Sequence, residues 1–488
     1  MKRGLEAPRY VIIMAKLKIR GKDLEKLGYP RGSKIASIAI NVMMKHYKKN
    51  NKGFVLNLLE NIAKTPEHYE SDVILGQIAR EFMEPQEIEI EMLNDGEEIP
   101  LKHPSQVEHY NMYGSKHIAQ NAIQQMNAAM RLPIVRAGAL MADAHAGYGL
   151  PIGGVLAVEN AVIPYGVGMD IGCRMCLSIY DMPPEYIRHN RHQLMLDLKA
   201  NTRFGQRDFD KTNPPEILDR QEFREIPTVK KLKDKAYRQF GTSGSGNHFV
   251  EFGVVEITEP DNELGLEPKS YLALLSHSGS RGFGAGIAQT YTRIAKEQCR
   301  LPREAQHLAW LSLDSEAGME YWLAMNLAGD YASACHHEIH RKLSLTLGDE
   351  PIARVENHHN FAWKEMLPNG RLVIVHRKGA TPAAAGELGM IPGSMTAPGF
   401  IVRGKGNAMS LNSASHGAGR QMSRTKARAS FSSKNMKELL RKAGVKLIGG
   451  GIDEIPTAYK DIHQVMAAQR DLVDVLGKFY PKIVRMDR

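Results

Sequence analysis

Apolar residues near the start of the chain recur at helical spacing. Four of them follow Ser33, a residue type that caps helices, and fall on one helical face: Ile35, Ile38, Val42 and Met43. A second stretch, Phe54–Ala63, has the same amphipathic pattern and predicts another helix. We therefore expect residues 1–80 to form a small, mainly helical N-terminal module.

From residue 105 onward, helical and strand-like patterns are mixed and no repeat is present. Residues 117–131 predict a helix, whereas residues 134–158 are strand-like and interrupted by glycines. Met175–Ile179 predicts a buried strand, and residues 206–238 a charged, mobile insertion with helical pieces. Residues 435–444 predict a helix capped by Gly444. This pattern indicates an α+β fold for residues 105–488, a large single domain with mixed β-sheets flanked by helices.

Charge separates these two parts of the chain. Residues 1–52 contain 14 Lys or Arg and three acidic residues, whereas residues 81–98 contain eight acidic residues and no Lys or Arg. We expect residues 81–104 to be an acidic linker or edge segment with one edge strand, in which Asn94, Asp95 and Gly96 supply a turn. The basic module is compatible with two interpretations, a solvated helical appendage or an RNA-binding element.

Composition limits the classes of protein that fit. A chain of 488 residues with 43% hydrophobic and 24% charged residues is typical of a soluble globular protein. Its net charge of +10 favours a polyanionic partner. Four cysteines in this length do not make a disulfide framework, and no apolar run is long enough for a membrane span. We therefore expect a cytoplasmic protein without a membrane partner.

Candidate chemistry lies in glycine-rich turns that carry histidine, cysteine or aspartate. The residues are Asp143, His145, Asp170, Cys173, His248, His277, His359 and His416. Thiolate, imidazole and carboxylate groups together are ligands for zinc, manganese or iron. Glycine-rich turns also present backbone N–H groups to phosphate. The spacing contains no closed zinc-ribbon frame. Cys173 and Cys176 are compatible with half a zinc site or a redox pair, and Cys176 also with a small hydrophobic residue in a strand.

Eight segments, in this order, resemble successive motifs of the RtcB RNA ligases. They are DAHAGYGLPIGG, GVGMDIGC, GTSGSGNHFVE, SHSGSRG, HHNFAW, HRKGAT, IPGSM and SHGAGRQMSR. The resemblance extends from about residue 105 to the C-terminus, so it covers the expected catalytic domain. It implies Mn²⁺ and GTP as cofactors and RNA as the partner, either tRNA halves or other cleaved RNA. The resemblance leaves open whether an archease-type activating protein, which some members of the family use, is a further partner.

The resemblance also implies individual roles. His416 is the expected nucleophile, which would form a phosphoramidate with GMP. Two Mn²⁺ ions are expected on Asp170, Cys173, His248, His277 and His359, with Cys173 as the bridging ligand. Residues expected to bind the nucleotide are Asn247, Phe249, Glu251, Asn360, Ser394, Arg420 and Tyr459. Arg281 and Lys378 are expected to contact RNA phosphate.

The implied reaction joins an RNA 3′-phosphate or 2′,3′-cyclic phosphate to a 5′-hydroxyl through a histidine–GMP intermediate and an activated 3′ end. Three alternatives remain open from the sequence. The chain could be a guanylyltransferase that caps RNA 3′-phosphates and joins ends poorly, an inactive RNA-binding homologue, or a metal-dependent hydrolase. A hydrolase has no need of the histidine in the HGAGR motif.

The sequence departs from the family pattern in three places. Members usually carry a nucleotide-contacting lysine near the C-terminus, where this chain has Lys482 and Arg485, neither in clear alignment. Ser415 stands where a cysteine commonly precedes the nucleophile, and the first hundred residues are additional. A basic run at residues 420–446, with nine Lys or Arg and one acidic residue, is either a solvated helix face or, as we favour, a contact with RNA phosphate.

Overall fold

The computed structural model divides into two compact units, residues 1–95 and residues 96–488. It describes residues 19, 23–24, 26–29, 34–47, 52–70, 72–83, 98–205, 209 and 214–487. The predicted cap at Ser33 and most of the predicted acidic segment, including its edge strand, lie outside the described residues.

The described part of the smaller unit contains three helices: α1 (Lys34–His46), α2 (Lys52–Lys64) and α3 (Gly76–Met83). Both predicted helices are confirmed. The α3 helix covers residues 81–83, which the sequence pattern assigned to the acidic segment. Apolar faces of the three helices meet in one core, where the hydroxyl of buried Tyr29 donates to the carbonyl of Leu59 at 2.9 Å. Burial of these faces is what stabilises helices of this length.

The larger unit contains both helices and strands throughout. Its helices are α4 (Gln120–Met130), α5 (Pro164–Val167), α6 (Glu185–His189), α7 (Arg191–Asn201), α8 (Glu222–Glu225), α9 (Pro227–Lys231), α10 (Lys233–Gln239), α11 (Arg281–Gln298), α12 (Glu316–Leu347), α13 (Arg424–Ser430), α14 (Ser433–Ala443) and α15 (Ile462–Ala467). Short 3₁₀ turns occur at Pro66–His68 in the smaller unit and, in the larger unit, at Pro104–Gln106, Ser115–His117, Glu216–Asp219, Arg303–Leu308, Ala408–Ser410, Ile452–Glu454 and Pro456–Ala458. Among the helices described, none is long and apolar enough to cross a membrane.

Seventeen strands are described in the same unit. They are β1 (Asn111–Met112), β2 (Val135–His145), β3 (Ile152–Val158), β4 (Ala161–Val162), β5 (Arg174–Tyr180), β6 (Phe249–Ile257), β7 (Ser270–Ser278), β8 (Leu311–Ser312), β9 (Ala353–His358), β10 (Asn360–Met366), β11 (Leu372–Lys378), β12 (Ala380–Pro382), β13 (Leu388–Ile391), β14 (Gly399–Gly404), β15 (Ser413–Ser415), β16 (Lys446–Ile448) and β17 (Val473–Met486).

Two sheets organise these strands. The larger has eight strands, seven in the order β13-β14-β17-β6-β7-β5-β9, with β16 paired in parallel to β17. The smaller has five strands in the order β1-β2-β3-β11-β10, and two further pairs join β12 to β15 and β4 to β8. Helices pack on both sheets, so the predicted α+β fold is confirmed. The predicted helices near residues 117–131 and 435–444 and the buried strand at 175–179 are also confirmed.

The 32-residue helix α12 connects the cores of the two sheets. It begins where the Ser315 hydroxyl accepts from the N–H of Gly318 at 3.1 Å, and it ends at Gly348 in the left-handed conformation. Its first half, including Tyr331, packs in the core that contains residues of the smaller sheet. Its second half, including Leu343, packs on the larger sheet. The helix therefore lies behind the strand ends that carry the candidate ligands.

Antiparallel pairing brings those strand ends together. Strand β7 pairs with both β5 and β6, and β5 pairs with β9, each time antiparallel. The beginnings of β5 and β6 therefore share one edge of the sheet with the ends of β7 and β9. Cys173 directly precedes β5, His248 directly precedes β6, His277 lies at the end of β7, and His359 directly follows β9.

The two units have separate hydrophobic cores, so the larger should fold without the smaller. All members of the smaller unit's core lie between Ile19 and Phe82. A chain that starts at Gly96 should keep the cooperative unfolding transition of the larger unit, with a Tm changed by no more than about 4 °C. Differential scanning calorimetry of both chains measures this. A truncated chain without a cooperative transition would show instead that the larger unit depends on residues 1–95.

Candidate metal centre and adjoining cavity

Two glycines allow the turns of the site to approach one another. A Cβ atom on Gly279 would lie 2.1 Å from Oδ1 of Asp170, and one on Gly244 would lie 1.7 Å from Nδ1 of His248. Any other residue at either position would displace a candidate ligand. The glycines of the SHSGS and GSGNH segments are therefore required by close packing around Asp170 and His248.

Five candidate ligands form one continuous, mostly buried cluster. Nε2 of His248 lies 2.9 Å from Oδ2 of Asp170 and 3.4 Å from Sγ of Cys173. The same sulfur lies 3.2 Å from Nε2 of His277, and that nitrogen lies 3.3 Å from Nε2 of His359. Cys173, His248, His277 and His359 are each less than 9% exposed. The structure thus brings together all five residues that the sequence selected as metal ligands.

The orientation of the imidazoles suits a cation. Nδ1 of His277 lies 3.2 Å from the carbonyl of Asn247, so it donates a proton there and leaves a lone pair on Nε2. That lone pair faces Cys173 and His359. Nδ1 of His248 and Nδ1 of His359 are buried without a hydrogen-bond partner among the described residues. Lone pairs and a thiol converging in a buried space fit a metal site, and Mn²⁺ or Zn²⁺ accepts this set of donors.

Burial controls protonation in this cluster. It raises the pKa of the Cys173 thiol well above its usual value, and it lowers the pKa of His277 to about 3. Burial also opposes ionisation of Asp170, but His248 and Arg281 outweigh that effect and bring the pKa of the carboxyl to about 2. Without a cation, the centre therefore holds a carboxylate, a protonated thiol and a neutral His277 ring.

His416 lies beside the candidate metal ligands and contacts Asp143. The ring centroids of His416 and His359 are 4.9 Å apart. Nδ1 of His416 lies 2.6 Å from Oδ2 of Asp143, which also accepts from the backbone N–H groups of His416 at 3.2 Å and Gly417 at 3.3 Å. Asp143 is fully buried, and although burial opposes its ionisation, His416 and Lys460 keep its pKa below the usual value. Nδ1 is therefore the ring nitrogen of His416 that faces Asp143.

A cavity of about 300 Å³ opens next to His416. Sequence-predicted residues that line it are Asn247, Phe249, Glu251, Ser394, Arg420 and Tyr459, together with His277 and His416. Glu251 is 4% exposed, and burial raises the pKa of its carboxyl well above the usual value. Its carboxyl has no hydrogen-bond partner among the described residues. A buried carboxyl group needs a hydrogen-bond partner. Glu251 is therefore suited to bind a ligand that presents two adjacent hydrogen-bond donors.

Arginines and acids close one side of the cavity. Arg420 donates to Glu454 at 3.4 Å, to the hydroxyl of Tyr459 at 3.3 Å and to the carbonyl of Asp453 at 2.7 Å. Glu454 also accepts from the Tyr459 hydroxyl and from Arg424, which contacts Asp453 at 2.8 Å as well. These bonds hold Arg420 and Tyr459 in place at the cavity wall.

Three other sequence-predicted residues lie outside the cavity lining. The Asn360 amide bridges two loops, since it donates to the carbonyl of Asp170 at 3.2 Å and accepts from the N–H of Gly379 at 2.9 Å. Arg281 donates to Thr242 at 3.2 Å and to a backbone carbonyl. The Lys378 ammonium donates to the carbonyls of Tyr148 and Tyr165, and burial lowers its pKa to about 7.

The C-terminal strand lines the cavity through other residues than expected. Pro481, Val484 and Met486 of β17 form part of the lining, whereas Lys482 and Arg485 do not. The guanidinium of Arg485 lies instead 5.6 Å from the ring of Phe204. The basic residues at this cavity are Arg420 and Arg424.

A chain of buried hydrogen bonds supports β7 behind the candidate metal ligands. Ser276 contacts Nδ1 of His336 at 2.6 Å and Nε2 of His340 at 2.8 Å, and Ser178 contacts Nδ1 of His340 at 2.8 Å. Nε2 of His336 donates to the carbonyl of Ser278 at 3.1 Å. Burial lowers the pKa of both histidines, so both rings are neutral and only one direction of donation satisfies every nitrogen: from Ser178 to His340, Ser276, His336 and Ser278.

Cys176 belongs to this second layer. All four cysteines are free and buried. The Cys176 thiol lies 3.6 Å from Oε1 of Glu356, and its sulfur, with nitrogens of His336 and His340, forms a second compact group of possible metal ligands. Because hydroxyl and carbonyl groups already satisfy the nitrogens of both histidines, the group forms a complete network without an ion.

Two acidic contributors to the site had no role assigned from the sequence. Asp143 was recognised only as a potential ligand in a glycine-rich segment, and Glu454 was not selected. Asp143 and His416 are 273 residues apart, and no local spacing connects them. The one sequence signal for Asp143 was its place in a turn of the same type as those that carry the histidines.

Metal binding should release a proton from Cys173. The thiol is protonated at neutral pH because burial raises its pKa, whereas the pKa of His277, about 3, leaves that ring neutral. Only the thiolate is a strong ligand, so Cys173 should make Mn²⁺ affinity rise by about tenfold per pH unit near neutral pH. Calorimetric titration at several pH values, with metal analysis, measures the slope and the stoichiometry.

The Cys173→Ala variant should bind fewer ions and lose about one unit of this slope. Cys299→Ala, a change at a buried cysteine outside both histidine clusters, is the matched control and should behave like the unmodified protein. Unchanged stoichiometry and slope in Cys173→Ala would exclude Cys173 as a ligand.

Comparisons with known proteins identify the family to which the chain belongs. A family model described as tRNA-splicing ligase RtcB matches residues 124–487. An RNA-splicing ligase RtcB1 of Escherichia coli is 34% identical over 391 residues, covering 74% of this chain and 92% of that protein. A tRNA-splicing ligase RtcB of Nanoarchaeum equitans is 29% identical over 435 residues, covering 74% and 90% respectively. The RNA-splicing ligase RtcB homolog 1 of Entamoeba dispar is 29% identical, covering 71% and 78%. The chain belongs to the RtcB family.

Proposed function

We propose that the protein is a GTP- and Mn²⁺-dependent RNA ligase that works through a histidine–GMP intermediate. The observation that carries the proposal is the position of His416. Its ring lies 4.9 Å from that of the candidate metal ligand His359, and it also lines the cavity that contains Glu251. One nucleophile between a metal cluster and a nucleotide-sized cavity suits nucleotidyl transfer. Membership in the RtcB family supports RNA as the substrate.

Asp143 prepares His416 for attack. With the proton on Nδ1 directed to the carboxylate, Nε2 carries the lone pair. Nε2 would form a bond to the α-phosphorus of GTP while the bond from that phosphorus to the β-phosphate oxygen breaks and pyrophosphate leaves. The proton stays on Nδ1, so the modified ring is cationic and Asp143 stabilises it. Donation from two backbone N–H groups to the same carboxylate oxygen fixes the direction of the carboxylate.

The metal cluster suits the charge of the reactants. Two Mn²⁺ ions bound by Asp170, Cys173, His248, His277 and His359 would neutralise triphosphate charge and orient an in-line displacement. The protein's own contribution is to hold these metal-ligating side chains together, in a buried position at one edge of the sheet. The lone pair on Nε2 of His277 is available because its Nδ1 donates to a backbone carbonyl.

Glu251 is suited to guanine. When ionised, its carboxylate can accept from the N1–H and from the 2-amino group, a pair of donors that adenine lacks. Phe249 lies on the same strand and lines the same cavity, where its ring can stack on a base. Arg420 and Tyr459, held by Glu454, complete the wall opposite this strand.

The RNA steps follow from the same intermediate. A 2′,3′-cyclic phosphate is first opened by water to a 3′-phosphate. An oxygen of that phosphate attacks the phosphorus of the His416-bound GMP, and the bond to Nε2 breaks. The 5′-hydroxyl of the second RNA then attacks the activated 3′-phosphate, loses its proton, and GMP leaves. A ligation assay with 3′-phosphate and 5′-hydroxyl oligonucleotides distinguishes this sequence from 3′-phosphate capping without joining.

His416→Ala should remove all labelling of the protein by α-labelled GTP in the presence of Mn²⁺. Asp143→Asn keeps the shape of the carboxylate without its charge and should slow labelling by about 100-fold. Acid-labile, base-stable label on the protein is the measurement, because a phosphoramidate has this stability. His463→Ala, at an exposed histidine, is the control. Label that persists in His416→Ala would place the nucleophile elsewhere.

Glu251→Gln should lower kcat/KM for GTP by at least about tenfold and reduce the preference for GTP over ATP, because an amide cannot accept from both guanine donors. The matched control is Glu256→Gln, at an exposed position on the same strand. Rates of protein labelling with each nucleotide measure the preference. A variant that stays fully selective for GTP would show that guanine is recognised by other residues.

A further inference from the structure

A second depression, of about 580 Å³, lies on the surface of the larger unit beside helix α14. We call it the basic groove. Its lining residues are Arg191, Ser433, Met436, Lys437, Leu440, Arg441, Gly444, Val445, Lys446, Leu447, Gly449, Gly450 and Ile452. Four of these residues are cationic and none is acidic. The lining thus combines positive charge with an apolar floor.

Local structure explains this combination. Helix α14 begins at Ser432, whose hydroxyl accepts from the N–H of Asn435 at 3.3 Å, and ends at Gly444 with φ 69°. Lys437 and Arg441 are one helical turn apart and exposed, so they share a face. Lys446 follows on β16, which is held by parallel pairing to β17. The cations are therefore fixed relative to one another by a capped helix and a sheet.

The basic run that the sequence analysis singled out divides into two parts. Arg424 and Arg428 contact Asp453, and Arg420 contacts Glu454, so the three arginines of the first part of the run are paired with acids within the protein. Unlike these arginines, the four cations of the basic groove have no acidic partner among the described residues.

Among the described residues, no carboxylate lies within ion-pair distance of Lys437, Arg441, Lys446 or Arg191. The Nε of Arg191 is moreover buried without a hydrogen-bond partner among them. Arg191 comes from helix α7, far from the basic run in sequence, and no pattern in the sequence pointed to it. Four unneutralised cations in one concave surface favour a polyanion.

The basic groove and the cavity that His416 lines border the same apolar cluster. Met436 and Leu440 of the groove pack in the same cluster as Met395 and Val484 of the cavity. Leu447 of the groove is the pairing partner of Val484. Neighbouring strands are about 4.8 Å apart, so only one strand spacing separates the backbones that carry the two linings.

We propose that the basic groove binds the phosphodiester backbone of one single-stranded RNA end on its way to the cavity. The proposal rests on the proposed function, since it assigns a path to the RNA substrate of that activity. Lys437, Arg441, Lys446 and Arg191 contact successive phosphates, while the apolar floor contacts riboses or bases. Binding is independent of RNA sequence because phosphates carry no sequence information.

The test compares two triple variants with equal changes of net charge. The groove variant is Lys437→Ala, Arg441→Ala and Lys446→Ala. The control variant is Lys426→Ala, Lys434→Ala and Lys442→Ala, three changes at positions outside the groove lining. Fluorescence anisotropy measures the affinity for a single-stranded 3′-phosphorylated RNA at several salt concentrations, without GTP. Labelling by GTP is measured on the same proteins.

The groove variant should bind RNA at least about tenfold more weakly at low salt, and the slope of log affinity against log salt should become shallower by about 2, from the loss of three phosphate contacts. The control variant should change by less than about threefold. Lys437→Arg, Arg441→Lys and Lys446→Arg together should restore binding, because they keep the charges. Labelling by GTP should be unchanged in all three.

Equal losses of RNA affinity in the groove variant and the control variant would overturn the proposal, because net charge alone would then explain RNA binding. Unchanged RNA affinity in the groove variant would overturn it as well. Loss of GTP labelling in a folded groove variant would assign the groove to the nucleotide step instead. Failure of the proposed function is separate from these outcomes, since it would appear as absence of labelling or ligation in the unmodified protein.

Discussion

The larger unit depends on one constraint: a carboxylate, a thiol and three imidazoles must share a buried space at the edge of a sheet. Such a group is stable only if most of its members are neutral or a cation binds among them. Antiparallel pairing of four strands supplies the positions, and glycines at 244 and 279 supply the room. The neighbouring features, including the Ser–His chain behind β7 and the loop bridge made by Asn360, hold that edge in place.

Much of the site could be predicted because its residues lie in short segments with a recognisable order. The five candidate ligands, His416 and six cavity residues lie close together, as the motifs indicated. The roles of Asp143 and Glu454 could not be predicted, because each acts through a partner brought near only by folding. The same holds for Lys378, whose buried contacts with two backbone carbonyls no residue pattern reveals.

For the fold, too, features set by local sequence could be predicted, whereas features set by distant segments could not. Amphipathic periodicity identified α1, α2 and α14, whose faces are half buried and half solvated. It did not identify the order of strands in the larger sheet, which is set by pairing between distant segments such as β6 with β17. The basic run at residues 420–446 likewise shows that charge pairing between distant segments cannot be predicted from composition. Its composition suggested one continuous basic surface, but the acids that pair with the arginines of its first part lie 25 or more residues further along the chain.

The burial of Cys173 has a consequence for chemical damage. Oxidants attack thiolates, whereas thiols react slowly. In the metal-free protein the raised pKa of Cys173 keeps it protonated and thus resistant to oxidation. On the proposed function, loading with metal would convert it to a thiolate, so the metal-loaded form would be the one exposed to this hazard. With 4% of its surface accessible, the sulfur is then shielded mainly by the side chains around it, and a nucleotide filling the adjoining cavity would add to that shield.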